Sequence, residues 1–175
     1  LASHDVTFEP IYSRQSFEKN GKHIFWGGLT LSAENEGVGL FDMELAAVHG
    51  LGGTVRYNAA VTGLVYDDDR VTGVKIGDEV LLADAVILAS GGFEASEEMR
   101  VKYIGAHWDK AKVRGTPHNT GDGLRMALAA GAAEYGFFEG CHATPMDLHM
   151  ADFGGLDLPP SERKNYRKID RKSVV

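Results

Sequence analysis

The chain has 175 residues, with 18 Lys and Arg against 25 Asp and Glu, a formal net charge of −7. Hydrophobic residues make up 43% and charged residues 25%, so the chain can bury a core and lies outside the range typical of disorder. The acidic balance argues against a nucleic-acid or anionic-membrane partner, and no apolar run approaches the roughly 18 residues of a membrane span. A single cysteine, Cys141, excludes an intrachain disulfide framework and favours a cytoplasmic setting.

Hydrophobic period and glycine positions predict the elements of the first half. The first 36 residues are typical of a loop-rich region with short strands. The spacing of Phe41, Leu45 and Val48 then predicts a helix over residues 38–49, which a group of glycines ends. Short β-branched runs predict antiparallel hairpins; they cover residues 54–58, 60–66, 71–76 and 79–82.

A fully apolar run over residues 85–89 leads into a glycine turn, which predicts a buried parallel strand. Ser96 can cap a following helix that we expect to run to about residue 104. Apolar residues at i, i+3 and i+4 predict a second helix, which begins at Asp122 and stops at Gly131. Residues 140–169 are typical of a loop.

Two glycine-rich turns are the candidate nucleotide-binding elements. Small residues after a buried strand let peptide N–H groups approach a phosphate, although a plain strand-to-helix turn has the same pattern. The first turn consists of Ala89, Ser90, Gly91 and Gly92. The second opens a helix and adds a carboxylate, although an ordinary helix cap is the alternative. It consists of Thr120, Gly121, Asp122 and Gly123. The order of the two turns favours a nucleotide site.

The segment after the second helix holds candidate substrate ligands. His142 and Thr144 lie close together and can donate hydrogen bonds to a carboxylate, although a lone loop histidine is more often a surface residue. The spacing of His142, Asp147, His149 and Asp152 matches no metal-ligand pattern, so we predict no metal site.

Three stretches, in this order, carry a family resemblance: GGTVRYNAAVTGLVYDDDRVTGVKI, ADAVILASGGFEASEEMRVKYIG and NTGDGLRMALAAGA. They resemble the flavoprotein family of fumarate reductase and succinate dehydrogenase, over nearly all of residues 1–169. Within this family the front section IYSRQSFEKNGKHIFWGGLTL is most similar to FAD-dependent tricarballylate dehydrogenases.

The resemblance implies an α/β fold: part of an FAD-binding domain of the glutathione-reductase type, with a parallel sheet and a β-meander, over residues 1–131. Residues 132–169 would begin a capping domain. No GxGxxG motif follows a predicted strand, so we expect the first βαβ unit to precede Leu1, which is not a methionine. Residues 170–175 resemble a translated sequencing adapter, and we expect an artefactual tail; a frayed basic tail is the alternative.

The resemblance also implies site roles, with FAD as the cofactor. Ala60 and Val61 would contact its adenine end through their backbone, and both glycine turns would lie against it. His142 matches the substrate-binding histidine of the family, and Thr144 follows it in a loop that reads His-Ala-Thr-Pro rather than His-Pro-Thr. The arginine that transfers the proton has no positional match here, so we expect the catalytic residue to lie outside this chain.

The implied reaction is oxidation at a CH–CH bond of a di- or tricarboxylate, above all tricarballylate to cis-aconitate, with electrons passed to an unknown acceptor. The chain by itself would be inactive. Two alternatives stay open: a noncatalytic nucleotide-binding module, and a flavoenzyme similar to 3-ketosteroid dehydrogenases.

Overall fold

A computed structural model describes residues 4–142 and 149–155 and divides the chain into two units, Leu1–Ala59 and Ala60–Val175. The predicted boundary at residue 131 stays a prediction. In the described residues, no helix is both long and apolar enough to cross a membrane.

The first unit consists of two antiparallel strand pairs and a long helix. Its elements are β1 (Phe8–Pro10), α1 (Tyr12–Gln15), β2 (Ser16–Lys19), β3 (Lys22–Phe25), β4 (Leu31–Ala33) and α2 (Glu36–Gly50). β1 pairs with β4 and β2 with β3. The predicted helix is therefore confirmed and begins two residues earlier. Its predicted apolar face is largely exposed within the described structure, since Phe41 and Val48 keep 51% and 39% of their surface accessible.

The second unit begins with a three-stranded antiparallel meander. Its strands are β5 (Val61–Asp67), β6 (Arg70–Ile76) and β7 (Glu79–Leu82), in that order. The three hairpin strands predicted over this stretch are confirmed. The strand predicted at residues 54–58 was wrong, because these residues are exposed and no neighbouring strand pairs with them in the described chain.

The parallel strand predicted at residues 85–89 was also wrong for this structure. This segment has no strand pairing, and Ile87 is 89% exposed. A strand exists only through hydrogen bonds to a neighbour, and the meander ends its own pairing at Ala83, whose N–H donates to the Thr72 carbonyl at 2.9 Å. The described strands are all antiparallel, so the structure is a mixed arrangement of small sheets and helices without the expected parallel sheet.

Two helices follow the meander, and both were predicted. They are α3 (Glu97–Tyr103) and α4 (Asp122–Ala129). The Ser96 hydroxyl caps α3 by accepting from the Met99 N–H at 3.3 Å, and Gly131 follows α4 with φ +87°. Short 3₁₀ turns lie at Trp108–Lys110 and Asp152–Gly155. Met99, Arg100 and Leu64 are among the buried residues of this unit.

A shallow apolar hollow of about 420 Å³ connects the meander to α4. Its lining comes from β5, β6, the 85–89 segment and the end of α4: Leu64, Val71, Val86, Leu88, Ala127, Ala130, Gly131 and Ala132. The meander, the apolar segment and α4 therefore share one packing region, which positions the two glycine turns at the ends of its elements.

Candidate functional site

The two glycine turns lie side by side. The Gly121 N–H donates to the Gly92 carbonyl at 3.0 Å, and the Ala95 N–H donates to the Asn119 carbonyl at 2.9 Å. The Asn119 amide also donates through Nδ2 to Oε1 of Glu94 at 2.5 Å. We call this set of contacts between residues 91–95 and 119–121 the glycine clasp. It joins the two turns, which together hold eight of the ten residues predicted to contact the cofactor.

The clasp itself requires glycine at several positions. Gly91 and Gly121 have φ values of +76° and +81°, in the region that disfavours L side chains. A Cβ on Gly91 would lie 2.7 Å from Oδ1 of Asn119, and one on Gly121 would lie 2.9 Å from Cβ of Phe93. These glycines are therefore needed for packing within the chain, whether or not a ligand approaches.

The segment that leads into the clasp, residues 89–92, is an exposed run of small residues. Ala89, Ser90, Gly91 and Gly92 are all exposed, and none has a side chain larger than a hydroxymethyl group. The second turn lies close to Ser90 of the first turn, and this contact requires a glycine. A Cβ on Gly123 would collide with the Ser90 hydroxyl. An exposed run of small residues beside a helix N-terminus is the kind of surface on which phosphate and ribose groups bind.

Asp122 directly follows the clasp, and both of its carboxylate oxygens have partners. The Thr120 hydroxyl donates to Oδ2 at 2.6 Å, and Nη2 of Arg125 donates to Oδ1 at 2.9 Å. The hydrogen bond from Thr120 and then that from Arg125 lower the pKa of Asp122 below its usual value. The helix-cap interpretation of Asp122 was wrong: Gly121 occupies the N-cap position and Asp122 is the first helical residue.

The lowered pKa of Asp122 predicts a pH-dependent stability. A carboxyl group whose pKa falls on folding stabilises the fold above its unfolded pKa of about 3.9, and this stabilisation disappears as pH falls through the folded pKa. Replacing Thr120 by valine should therefore lower the free energy of unfolding at pH 7 by roughly 0.5 kcal/mol, since the carboxylate is more than half exposed. The difference should shrink in urea titrations as the pH falls below about 3.9. Thr54→Val, at an exposed position, is the control; a difference that does not shrink with falling pH would contradict the assignment.

Arg100 organises the segment around the clasp, and sequence analysis did not find it. It is 5% exposed, and its guanidinium donates only to backbone carbonyls. The acceptors are Glu94 at 2.5 Å, Trp108 at 2.8 Å, Asp109 at 3.1 Å and Ala111 at 3.4 Å. The available signal was helical spacing, because Arg100 lies four residues after the capping serine, on the face that α3 buries.

An aromatic cluster ties the loop after α4 to α3. The Tyr103 ring lies 5.3 Å from that of Phe93 and 5.1 Å from that of Phe138, between centroids. The Tyr103 hydroxyl also donates to Oε1 of Glu134 at 2.7 Å. The loop continues to His142, which is exposed. Thr144 lies outside the described residues, so the predicted pair of substrate ligands stays a prediction.

Ala60 and Val61 are the first two residues of the second unit. Ala60 is exposed, and Val61 is half-buried and pairs with Ile76 in the meander. β5 contacts α4, and this packing is the connection between these two residues and the clasp. Within residues 4–142 and 149–155, no cluster of three or more His, Cys, Asp or Glu is placed to hold a metal ion.

Comparison with known proteins assigns the family. Residues 28–150 match the FAD binding domain family of the fumarate reductase and succinate dehydrogenase type, and the chain belongs to this family. The cofactor of the family is FAD, and the clasp lies wholly within the matched region.

The curated relatives that this chain resembles include 3-oxosteroid 1-dehydrogenases. The chain is 42% identical over 89 residues to a 3-oxosteroid 1-dehydrogenase of Mycolicibacterium smegmatis, a match that covers 45% of this chain and 16% of the relative. It is 34% identical over 124 residues to a 3-oxosteroid 1-dehydrogenase of Mycobacterium tuberculosis strain H37Rv, covering 61% of this chain and 22% of the relative. The matches thus span about a fifth of these relatives or less. No solved structure gives a significant match.

The chain is therefore homologous to FAD-dependent oxidoreductases that act on CH–CH bonds. The expectation of FAD as the cofactor is confirmed. The comparisons favour the steroid alternative over tricarballylate, because both relatives are named for a 3-oxosteroid.

Proposed function

We propose that this chain is part of an FAD-dependent dehydrogenase that forms a C=C bond at position 1 of a 3-oxosteroid, removing one hydrogen as hydride and one, from the adjacent carbon, as a proton. The similarity to 3-oxosteroid 1-dehydrogenases over 89 and 124 residues carries the proposal. In this proposal the glycine clasp is the part of the cofactor site that the chain contributes. FAD, when bound, supplies the hydride acceptor, and the protein supplies its position.

The chain's own residues divide the work of holding the cofactor. The exposed backbone of residues 89–92 offers N–H groups to phosphate or ribose oxygens, and the Asp122 carboxylate offers an oriented acceptor for hydroxyl groups. Arg100 stabilises the clasp by donating a hydrogen bond to the Glu94 carbonyl. Ala60 and Val61 stay proposed contacts for the adenine end.

The charges around the clasp support an uncharged substrate over a polycarboxylate. A tricarboxylate needs several cationic or donor groups directed at it. Arg125 is paired with Asp122, and Arg100 is buried against backbone carbonyls. Nζ of Lys112 lies 3.7 Å from Oδ1 of Asp152. These three cations of the second unit are therefore already engaged. A steroid instead requires an apolar surface and few polar contacts.

The decisive experiment is anaerobic reduction of the flavin by candidate substrates. Protein expressed from the complete reading frame and loaded with FAD should lose its oxidised-flavin absorbance when a 3-oxosteroid saturated at position 1 is added. Tricarballylate and succinate should leave the spectrum unchanged. Bleaching by tricarballylate but not by the steroid would establish the carboxylate alternative. Absence of bleaching by every compound, with FAD bound, would favour a noncatalytic nucleotide-binding module.

A second measurement locates the cofactor independently of the substrate. Gly91→Ala places a Cβ against Asn119 and should weaken FAD binding roughly tenfold, because the two turns must separate. Gly136→Ala is a matched control: Gly136 also has a positive φ, +111°, but nothing lies within 4 Å of the added Cβ. Equal FAD affinities in the two variants, measured by fluorescence titration of the apoprotein, would place the cofactor away from the clasp.

A further inference from the structure

We propose that Arg125 is a positioning residue for FAD: it fixes the Asp122 carboxylate and compensates its charge, so that an anionic cofactor can bind beside it. The inference rests on the proposed placement of FAD at the clasp. It adds a residue that the glycine-turn pattern does not include, because the pattern ends at Gly123 and Arg125 lies two positions further along α4.

The Arg125 side chain is held at both ends of its guanidinium. Nη2 donates to Oδ1 of Asp122 at 2.9 Å, and Nη1 donates to Sδ of Met99 at 3.0 Å. Met99 is only 4% exposed and belongs to α3, and its side chain is also the one that a Cβ on Gly121 would strike. The arginine thereby connects the carboxylate to the buried Met99 side chain.

The carboxylate is consequently fixed in direction. Thr120 occupies one lone pair of Oδ2 and Arg125 one lone pair of Oδ1. Each oxygen retains a second acceptor site, so a ligand hydroxyl can still donate to it. Asp122 is therefore prepared as an acceptor before any ligand arrives, which lowers the ordering cost of binding.

Charge gives Arg125 its second role. The pyrophosphate of FAD is anionic, and an uncompensated carboxylate at the same turn would repel it. The first turn of the neighbouring helix α3 adds Glu97 and Glu98, and Glu94 lies in the clasp itself. Arg100 is enclosed by carbonyls. Arg125 is thus the cation that pairs with Asp122, with side chains 46% and 58% exposed.

The test is the salt dependence of FAD affinity. Arg125→Met should weaken FAD binding about fivefold at 50 mM salt, the upper range for a partly exposed ion pair. At 500 mM salt the difference should shrink, because screening relieves the repulsion between Asp122 and the cofactor. Arg125→Lys, which keeps the charge without the fork, should lose less than the methionine variant. Arg114→Met removes an exposed arginine and is the matched control.

A double-mutant cycle with Asp122→Asn separates compensation from packing. Asp122→Asn should itself weaken FAD binding, and Arg125→Met should then add a smaller loss than it does in the parent, because no carboxylate remains for the arginine to orient. A loss on Arg125→Met that is the same at both salt concentrations and in both backgrounds would overturn the inference and indicate a packing role. Thermal unfolding of each apoprotein shows whether the variants fold.

The same series distinguishes failure of the inference from failure of the proposed cofactor placement. If Asp122→Asn and Gly91→Ala both bind FAD as tightly as the parent, the clasp is not the cofactor site and this inference is overturned with it. If those two variants lose affinity while Arg125→Met does not, only the role of Arg125 is refuted.

Discussion

Replacing Arg100 by methionine is expected to lower the free energy of unfolding by about 3 kcal/mol, because it removes a buried charged donor that four backbone carbonyls share. The guanidinium donates to four backbone carbonyls, and the shortest contacts are those to Glu94 and Trp108. A charged donor in a buried place contributes more than a neutral one, and an unsatisfied buried carbonyl costs about 1 to 3 kcal/mol. Urea denaturation of the purified protein measures the loss.

Two further variants make the Arg100 result specific. Arg100→Lys keeps the charge but cannot reach acceptors on both sides of a planar fork, so about half of the loss should remain. Arg114→Met, at an exposed position, should change stability by no more than about 0.5 kcal/mol. If Arg100→Met costs no more than Arg114→Met, the guanidinium does not hold the segment together.

The elements with local signals were predictable from sequence. The meander strands β6 and β7 and the helices α3 and α4 have their bounds set by turn residues, a serine cap and a terminal glycine, all of which act within a few positions. Gly77, with φ +59°, illustrates this: it ends one strand where the sequence indicates a turn. Local chemistry is sufficient for such elements because their hydrogen bonds close over short loops.

The 85–89 segment shows where local chemistry is insufficient. Its composition indicates a buried strand, yet Ile87 is 89% exposed and no described strand pairs with this segment. Apolar composition indicates that a segment is suited to burial. Strand formation also requires a neighbouring strand to pair with, which the segment's own sequence does not specify. The same limit applies to the exposed Phe41 and Val48 of α2.

The two glycine turns could be found from the sequence, but the contacts between them could not. The hydrogen bond from Gly121 to Gly92 places the turns side by side, while their role in binding the cofactor stays a prediction. Asn119 and Arg125 contact Glu94 and Met99, which lie 25 and 26 positions away along the chain, and no spacing rule identifies such contacts. The substrate was the weakest inference: the sequence resemblance indicated a tricarboxylate, whereas the curated relatives are named for a 3-oxosteroid.

Gly121→Ala is expected to lower the free energy of unfolding by about 3 kcal/mol, for two separable reasons. Its φ of +81° places an L side chain in a conformation that costs roughly 1 to 2 kcal/mol. The added Cβ would also meet Met99 and lie 2.9 Å from Cβ of Phe93, an overpacking that costs about 1 to 3 kcal/mol. Because Gly121 donates the hydrogen bond that closes the clasp, FAD affinity should fall together with stability.

Gly131→Ala, just after the C-terminal end of α4, separates the backbone cost from the packing cost. Gly131 has a φ of +87°, close to that of Gly121, but nothing lies within 4 Å of its added Cβ. This variant should therefore show the backbone cost alone, roughly 1 to 2 kcal/mol, and leave FAD affinity unchanged. The difference between the two alanine variants, measured by urea denaturation, isolates the packing of α4 against Met99 and Phe93. Equal losses would mean that these side chains move aside without cost and that the clasp is looser than its contacts indicate.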